Sequence, residues 1–321
     1  MPSITSRSSS RRSAAPRPII GRVVAITGGA RGLGLATARA LAGRGARIAI
    51  GDLDGDLAQA EAAALPGAGP HLGAALDVTD PAGFAAFLDA AEDALGPLDV
   101  LVNNAGIMIV EPFLEEDPAL TRREVEINVL ALISGTQLAL KRMVPRQRGH
   151  IVNIASAAGK TGLAGEATYC ATKHAVVGFD ESLRIELRGT GVDVSTVMPG
   201  LANTELAAGM NAGRGVALVE PQEVADGIVE ALEHGTPEVF VPKRIGPLLR
   251  VQSVLPRRVR DLIAKGFQTD KIATDVDRGA RAAYAARAAR ALAVEGASPA
   301  AGAASAPAQD APAESETPVE A

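Results

Sequence analysis

The sequence predicts an α/β fold: one doubly wound domain with a seven-stranded parallel sheet, helices on both faces and a C-terminal helical appendage. Three observations predict it. Short apolar runs alternate with helical patterns from Arg22 to Pro242, as βα units feeding a parallel sheet do. Several of the runs are continuous Val/Ile/Leu/Ala stretches rather than alternating ones, as strands covered on both faces require. Hydrophobic residues make up 47% of the 321, enough to bury a sizeable core.

In chain order the apolar runs place strands at 23–27, 47–51, 71–76, 100–103, 150–155, 193–197 and 239–241. Helical patterns fill the gaps at 33–42, 57–64, 81–95, 120–144, 167–187 and 221–233, and right-handed crossovers distribute them over the two faces. The domain is expected over 19–245. Beyond Pro242 the pattern changes: Leu248, Leu249, Val251, Val254 and Leu255 are interleaved with Arg250, Arg257 and Arg258. This segment, 246–295, reads as a basic amphipathic helical appendage, and its Ala/Arg stretch 279–293 has good helix propensity. The remaining stretch, 296–321, has almost nothing to bury and is expected to be a disordered Ala/Pro/Glu tail. Residues 1–18 carry four arginines and no acid and read as a disordered basic tail in preference to an organelle-targeting peptide.

Charge and composition narrow the function. Residues 19–242 hold 16 basic against 28 acidic side chains, and aromatic residues are 2% of the chain; a nucleic-acid groove needs cations and stacking rings, so no nucleic-acid partner is expected. One cysteine, Cys170, forbids an internal disulfide, leaves no Cys/His cluster for a metal, and reads as a buried apolar thiol. A reducing, cytoplasmic setting fits. No apolar run approaches the ~20 residues of a membrane-spanning helix. The basic block 247–267 would suit peripheral contact with an anionic membrane surface, although cover for the core or a subunit interface is the preferred reading.

The first strand runs into Thr27, Gly28, Gly29, Ala30, Arg31, Gly32, Leu33 and Gly34, then a helix. Glycines permit a tight turn and close approach of backbone to a pyrophosphate, and the amides of the new helix attract its charge. No Lys-Ser/Thr pair follows the last glycine, which disfavours a mononucleotide loop. The second strand leads into Asp52 about twenty residues on, where a carboxylate accepts ribose hydroxyl protons. Asp52 repels a 2′-phosphate and favours NAD; Arg31 pulls towards NADP, with the acid weighed more heavily. Tyr169 and Lys173 share one helix face at a spacing of four, a pair common enough as a core ring beside a solvated charge. Ser156, thirteen residues upstream at a strand end, gives the pair a chemical context. A phenol of ordinary pKa about 10 needs a shift of roughly three units to act as a base near neutrality, which Lys173 and a cationic nicotinamide ring would supply.

With these motifs in order, joined by Asp77-Val78, Asn103 to Gly106, Asn128 and Pro199-Gly200, the chain resembles the short-chain dehydrogenase/reductase family over residues 20–242. The resemblance implies a Rossmann-type domain and an oxidoreductase acting on CH–OH groups with NAD or NADP. It implies Tyr169 as general acid/base, Ser156 bonding the substrate oxygen, Lys173 on the nicotinamide ribose while lowering the tyrosine pKa, and Asn128 steadying a helix distortion and a water leading to the lysine. It implies cofactor contacts at Gly28, Arg31, Gly32, Leu33, Gly34, Asp52, Asp77, Val78, Asn104, Ala105, Gly106, Pro199, Gly200 and Thr204, besides Tyr169 and Lys173. His174 reads as an ordinary helix residue.

The pocket loops carry Ile107, Met108, Ile109, Leu163, Leu201, Leu206 and Met210, with Glu166 and Glu205 the main charges. An apolar alcohol or ketone of fatty, steroid, terpenoid or retinoid-like character is expected as substrate, and a homodimer or homotetramer as the assembly. Two other classes compete: a cofactor-sensing binding protein without turnover, which would not need the set Asn128, Ser156, Tyr169 and Lys173, and an interaction protein acting through its tails.

Overall fold

A computed structural model of the protein describes residues 16–67, 69–210, 218–256, 258–260 and 276–293. Seven parallel strands form one sheet in the order β3-β2-β1-β4-β5-β6-β7: β1 Val23–Thr27, β2 Arg47–Asp52, β3 Leu72–Ala75, β4 Leu98–Asn103, β5 Gly149–Ile154, β6 Val192–Pro199 and β7 Glu238–Val241. The order doubles back between β1 and β4, which opens a crevice at the carboxyl ends of these two strands.

Consecutive strand residues go to opposite sides of the sheet. Val24, Ile26, Ile48, Ile50, Val100 and Val102 pack in one core with α1 (Gly32–Ala42), α2 (Gly55–Ala63) and α7 (Pro221–His234). Their neighbours Val23, Ala25, Ala49, Leu98 and Leu101 pack in a second core against α3 (Pro81–Leu95), α5 (Leu132–Met143) and α6 (Ala167–Glu186). Continuous apolar runs are what this two-sided burial demands. Register follows: Val24 pairs with Ile48 and Val100, and Ile26 with Ile50 and Val102, so each layer is built from matching positions of adjacent strands.

The expected 120–144 helix begins earlier, at Pro118, because Asp117 accepts the Ala119 N–H at 2.9 Å and Pro118 suits the first helical position. It is also not uniform: α4 (Pro118–Val125) passes through a π-helical segment, Glu126–Ala131, into α5. Strand β6 extends to Pro199, and β3 starts at Leu72, where the His71 ring leaves the ladder and its Nδ1 accepts the Ile48 N–H at 3.1 Å.

Of the stretch 1–18 read as a disordered tail, Pro16, Arg17 and Pro18 are described, and Arg17 is tied down: its N–H donates to the Glu233 carbonyl at 2.8 Å and its guanidinium pairs with Asp193. The rest of that tail, and the tail 296–321, lie outside the described residues. In the appendage, α8 (Ile245–Val254) leans on β7, with Gly246 against the Phe240 ring and Arg250 bonded to Glu238 at 2.8 Å. A second helix, α9 (Arg278–Ala293), covers the expected Ala/Arg stretch; residues 261–275, including the end of the block 247–267, lie outside the described ones.

Candidate active site

One cleft of about 990 Å³ occupies the crevice at the strand ends. Its floor is a locked junction of two loops. The Thr27 hydroxyl accepts the N–H groups of Asn104 and Ala105, each at 3.0 Å, while the Asn104 amide donates to the carbonyls of Thr27 and Gly28, each at 2.9 Å. Gly28 and Gly32 have left-handed backbones, φ 60° and 49°, which side chains with a Cβ resist. Gly34 is fixed by packing: a Cβ there would stand 2.3 Å from the Gly28 carbonyl oxygen. Arg31 occupies the N-cap of α1 without a capping hydrogen bond, whereas α2 and α3 are capped by Asp54 and Asp80. The first amides of α1 therefore present their positive end to the cleft, a ready anion site.

Asp52, at the end of β2, accepts the Ala30 N–H at 3.1 Å and the Asp54 N–H at 3.2 Å, so its carboxylate is aimed by the glycine turn. The Arg31 guanidinium bonds Asp54 at 2.9 Å. Asp77 and Val78 follow β3 and line the same cleft. Burial would raise the Asp77 carboxyl, but hydrogen bonds from Thr79 and the charge of Arg123 hold it below its ordinary value.

Arg123 is 2% exposed, lies on α4 and lines the cleft while donating to Asp77 at 3.2 Å and Thr79 at 2.7 Å. Sequence reasoning missed it, since the adjacent arginine Arg122 offers the same charge and nothing local marks which of the two turns inward.

At the other end stand Ser156, Tyr169 and Lys173. Ser156 follows β5, its hydroxyl accepting the Ala158 N–H at 3.1 Å and hydrogen-bonding the Tyr169 phenol. Lys173, one turn beyond Tyr169 on α6, donates to the Ile154 carbonyl at 2.9 Å, and its ammonium sits 5.5 Å from the tyrosine ring centroid. Asn128 lies behind this group rather than on the cleft wall: it donates to the Ile107 carbonyl at 2.8 Å and to the Thr172 hydroxyl at 3.2 Å. It lies within the π-helical segment Glu126–Ala131.

The expected lowering of the tyrosine pKa is not what the protein by itself produces. Burial, followed by the charge of Glu166, pushes the Tyr169 phenol up, and the Ser156 hydrogen bond only partly offsets this. Burial also brings the Lys173 ammonium down to about 8, which still leaves it mostly protonated near neutrality.

Ile107, Met108, Leu163, Leu201, Leu206 and Met210 line the cleft as expected, and so do Glu166, Glu205, Pro199, Gly200 and Thr204. Ile109 does not: it is buried against α4, with its N–H on the Glu124 carboxylate at 3.2 Å. The remaining wall comes from the appendage, where Leu248, Leu249, Val251 and Leu255 of the α8 region and Tyr284 of α9 face the cleft. Arg281 straps α9 down by donating to the carbonyls of Met108 at 2.6 Å, Leu206 at 2.9 Å and Ala208 at 3.3 Å. The Met108 N–H in turn donates to the Tyr284 hydroxyl at 2.8 Å. The two contacts at Met108 join positions more than 170 residues apart in the sequence, and no local pattern announces them.

Comparison with known proteins gives the same fold and chemistry. The short chain dehydrogenase profile matches residues 22–215. The chain is 36% identical over 231 residues to ketoacyl reductase HetN of Nostoc sp., covering 70% of this chain and 79% of that one. It is 39% identical over 190 residues to the 3-alpha-(or 20-beta)-hydroxysteroid dehydrogenase of Mycobacterium tuberculosis, covering 59% and 72%. A short chain dehydrogenase/reductase from Burkholderia phymatum, solved in complex with NAD, superposes with a TM-score of 0.67 at 26% identity, covering 74% of this chain and 94% of that one.

Proposed function

Because the chain belongs to the short chain dehydrogenase family, nicotinamide-dependent oxidoreductases of the CH–OH group, we propose that it interconverts an apolar secondary alcohol and its ketone at Tyr169, with NAD as cofactor. The observation that carries this reading is the single cleft in which Ser156, Tyr169 and Lys173 stand at one end and the uncapped glycine turn with Asp52 at the other.

The residues suit a dinucleotide. Backbone amides at Gly32 and Leu33 would hold the pyrophosphate, Asp52 the adenosine ribose, and Asp77 with Val78 the adenine. Asn104, Ala105 and Gly106 would back the cofactor, Lys173 its second ribose, and Pro199, Gly200 and Thr204 the carboxamide end. Asp52 favours NAD, and the pairing of Arg31 with Asp54 leaves that guanidinium less able to attract a 2′-phosphate. When bound, the dinucleotide supplies the hydride acceptor or donor and, oxidised, a positive charge beside the phenol. Tyr169 takes the proton from the alcohol or returns it to the carbonyl oxygen, Ser156 orients that oxygen, and Lys173 holds its charge near the phenolate.

Apolar lining by Met108, Leu163, Leu206 and Met210 supports a substrate of low polarity. Leu248, Leu249, Val251 and Leu255, on the cleft side of the described part of the block 247–267, support cover for the core over membrane contact; among the described residues no helix is long and apolar enough to cross a membrane. Exposed Val125, Leu130 and Ile133 along the α4–α5 run favour pairing with a second copy. Fluorescence titration with NADH and NADPH, then a panel of cyclic and long-chain secondary alcohols followed at the NADH absorbance, tests the reading. Tighter NADH binding with turnover of apolar alcohols is expected; binding without turnover across the panel would turn the assignment to a cofactor sensor.

A further inference from the structure

Glu166 is a carboxyl group without a structural task. It holds the N-cap position of α6, yet its side chain makes no capping hydrogen bond. It is 1% exposed, and its Oε1 has no hydrogen-bond partner among the described residues. Leaving a buried carboxyl oxygen unpartnered costs more than replacing it by an apolar group. The backbone accounts for the residue's position but not for its chemistry: its carbonyl accepts the Cys170 N–H at 2.8 Å, a bond any residue would make.

Its surroundings say what would partner it. Glu166 lines the cleft one helical turn before Tyr169, in a chamber otherwise formed by Met108, Ala158, Leu163, Leu206 and Met210. The nearest compensating charge, Arg281, already donates to three backbone carbonyls, so it softens the site's potential without bonding the carboxyl. Burial keeps the group protonated to about pH 7, so it exchanges hydrogen bonds with a neutral polar group rather than demanding a cation. A molecule held with its reacting carbon at Tyr169 and Ser156 would meet this carboxyl with its next polar substituent.

We propose that Glu166 is a specificity-determining residue that hydrogen-bonds a second hydroxyl group on an otherwise apolar alcohol substrate. This deepens, and rests on, the reading of the site as an alcohol dehydrogenase. It narrows the substrate class from apolar mono-alcohols to apolar diols or hydroxyketones.

The test compares cyclohexanol with the regioisomeric cyclohexanediols, using the full-length protein with NAD. At least one diol is expected to be preferred about tenfold or more in kcat/KM, the worth of a satisfied buried polar group. Glu166→Leu should erase that preference, bringing the ratio of diol to cyclohexanol kcat/KM to about one, while any change that loss of the Glu166 charge beside Tyr169 makes in turnover is common to all alcohols and cancels in the ratio; Glu166→Gln, which keeps hydrogen-bonding capacity and shape, should retain part of it. Circular dichroism establishes that both variants fold. Calorimetric binding of the same compounds to the NAD complex of Tyr169→Phe repeats the comparison without turnover. Equal diol affinity with Glu166 and with Leu in that background overturns the assignment, whichever alcohols are oxidised. Cyclohexanol oxidation that persists while Glu166→Leu alters every alcohol equally removes the Glu166 inference and leaves the dehydrogenase reading standing.

Discussion

Asn128 grips both backbone groups of Ile107: its Oδ1 accepts the Ile107 N–H at 2.9 Å and its Nδ2 donates to the Ile107 carbonyl at 2.8 Å. A side-chain amide thus substitutes for a strand partner in the loop beyond β4, and the π segment is what turns it that way. Asn128→Leu should leave these two backbone groups unpaired at about 1–3 kcal/mol each. The expected outcome is a lower melting temperature together with reduced kcat, because the loop's Met108 also anchors α9. A variant that melts lower but turns over unchanged would confine Asn128 to stability.

Tyr169→Phe removes one oxygen from a buried ring. Turnover is expected to fall by about 10²–10⁴, the span of general acid–base catalysis, with NADH affinity unchanged in fluorescence titration. The packing of the ring against Met108 and Ala158 is kept, so loss of folding is not expected.

Cofactor choice depends on Asp52. Asp52→Ser removes the charge that opposes a 2′-phosphate while leaving the Ala30 N–H an acceptor, and combined with Asp54→Asn it frees the Arg31 guanidinium from its partner. The double variant should shift the NADH-to-NADPH affinity ratio by about tenfold or more towards NADPH, a 1.4 kcal/mol change. Parallel titrations of the two cofactors measure it.

Stability should decline as the solution becomes alkaline. Glu124 is 0% exposed, and burial raises its carboxyl from 4.5 to about 8. The folded protein therefore holds this proton more firmly than the unfolded chain, so its contribution is complete below pH 4.5 and is lost as pH rises through about 8. His150, lowered from 6.5 to about 4 by burial, acts oppositely, adding stability as pH rises between those values. Glu166, raised by burial from 4.5 to about 7, acts in the same direction as Glu124 up to that value, so the window from 7 to 8 isolates Glu124. Melting temperatures of the wild type should fall across it, and those of Glu124→Gln should fall distinctly less.

Much of this is legible in the amino-acid sequence. Strands buried on both faces leave continuous apolar runs, so Val23–Thr27 and its partners could be read directly, and a tyrosine and a lysine four apart on a helix must be neighbours. Backbone chemistry marked the glycine turn. What escaped depends on tertiary context. Ile109 and Met108 are adjacent apolar residues in one loop, yet Met108 lines the cleft and Ile109, its N–H bonded to the Glu124 carboxyl, does not. Spacing reveals the lysine beside Tyr169 but not the burial that, in the protein without a nucleotide, pushes the phenol up. Arg281 and Tyr284 sit in an Ala/Arg helix whose sequence carries helix propensity and nothing more.

The strap made by Arg281 has an evolutionary consequence. It grips the two substrate loops solely through main-chain oxygens, at Met108, Leu206 and Ala208, and so is indifferent to the side chains those loops display. Loop sequences can drift and retune the chamber while the closing helix, which lies beyond residues 22–215 of the family match, keeps its hold.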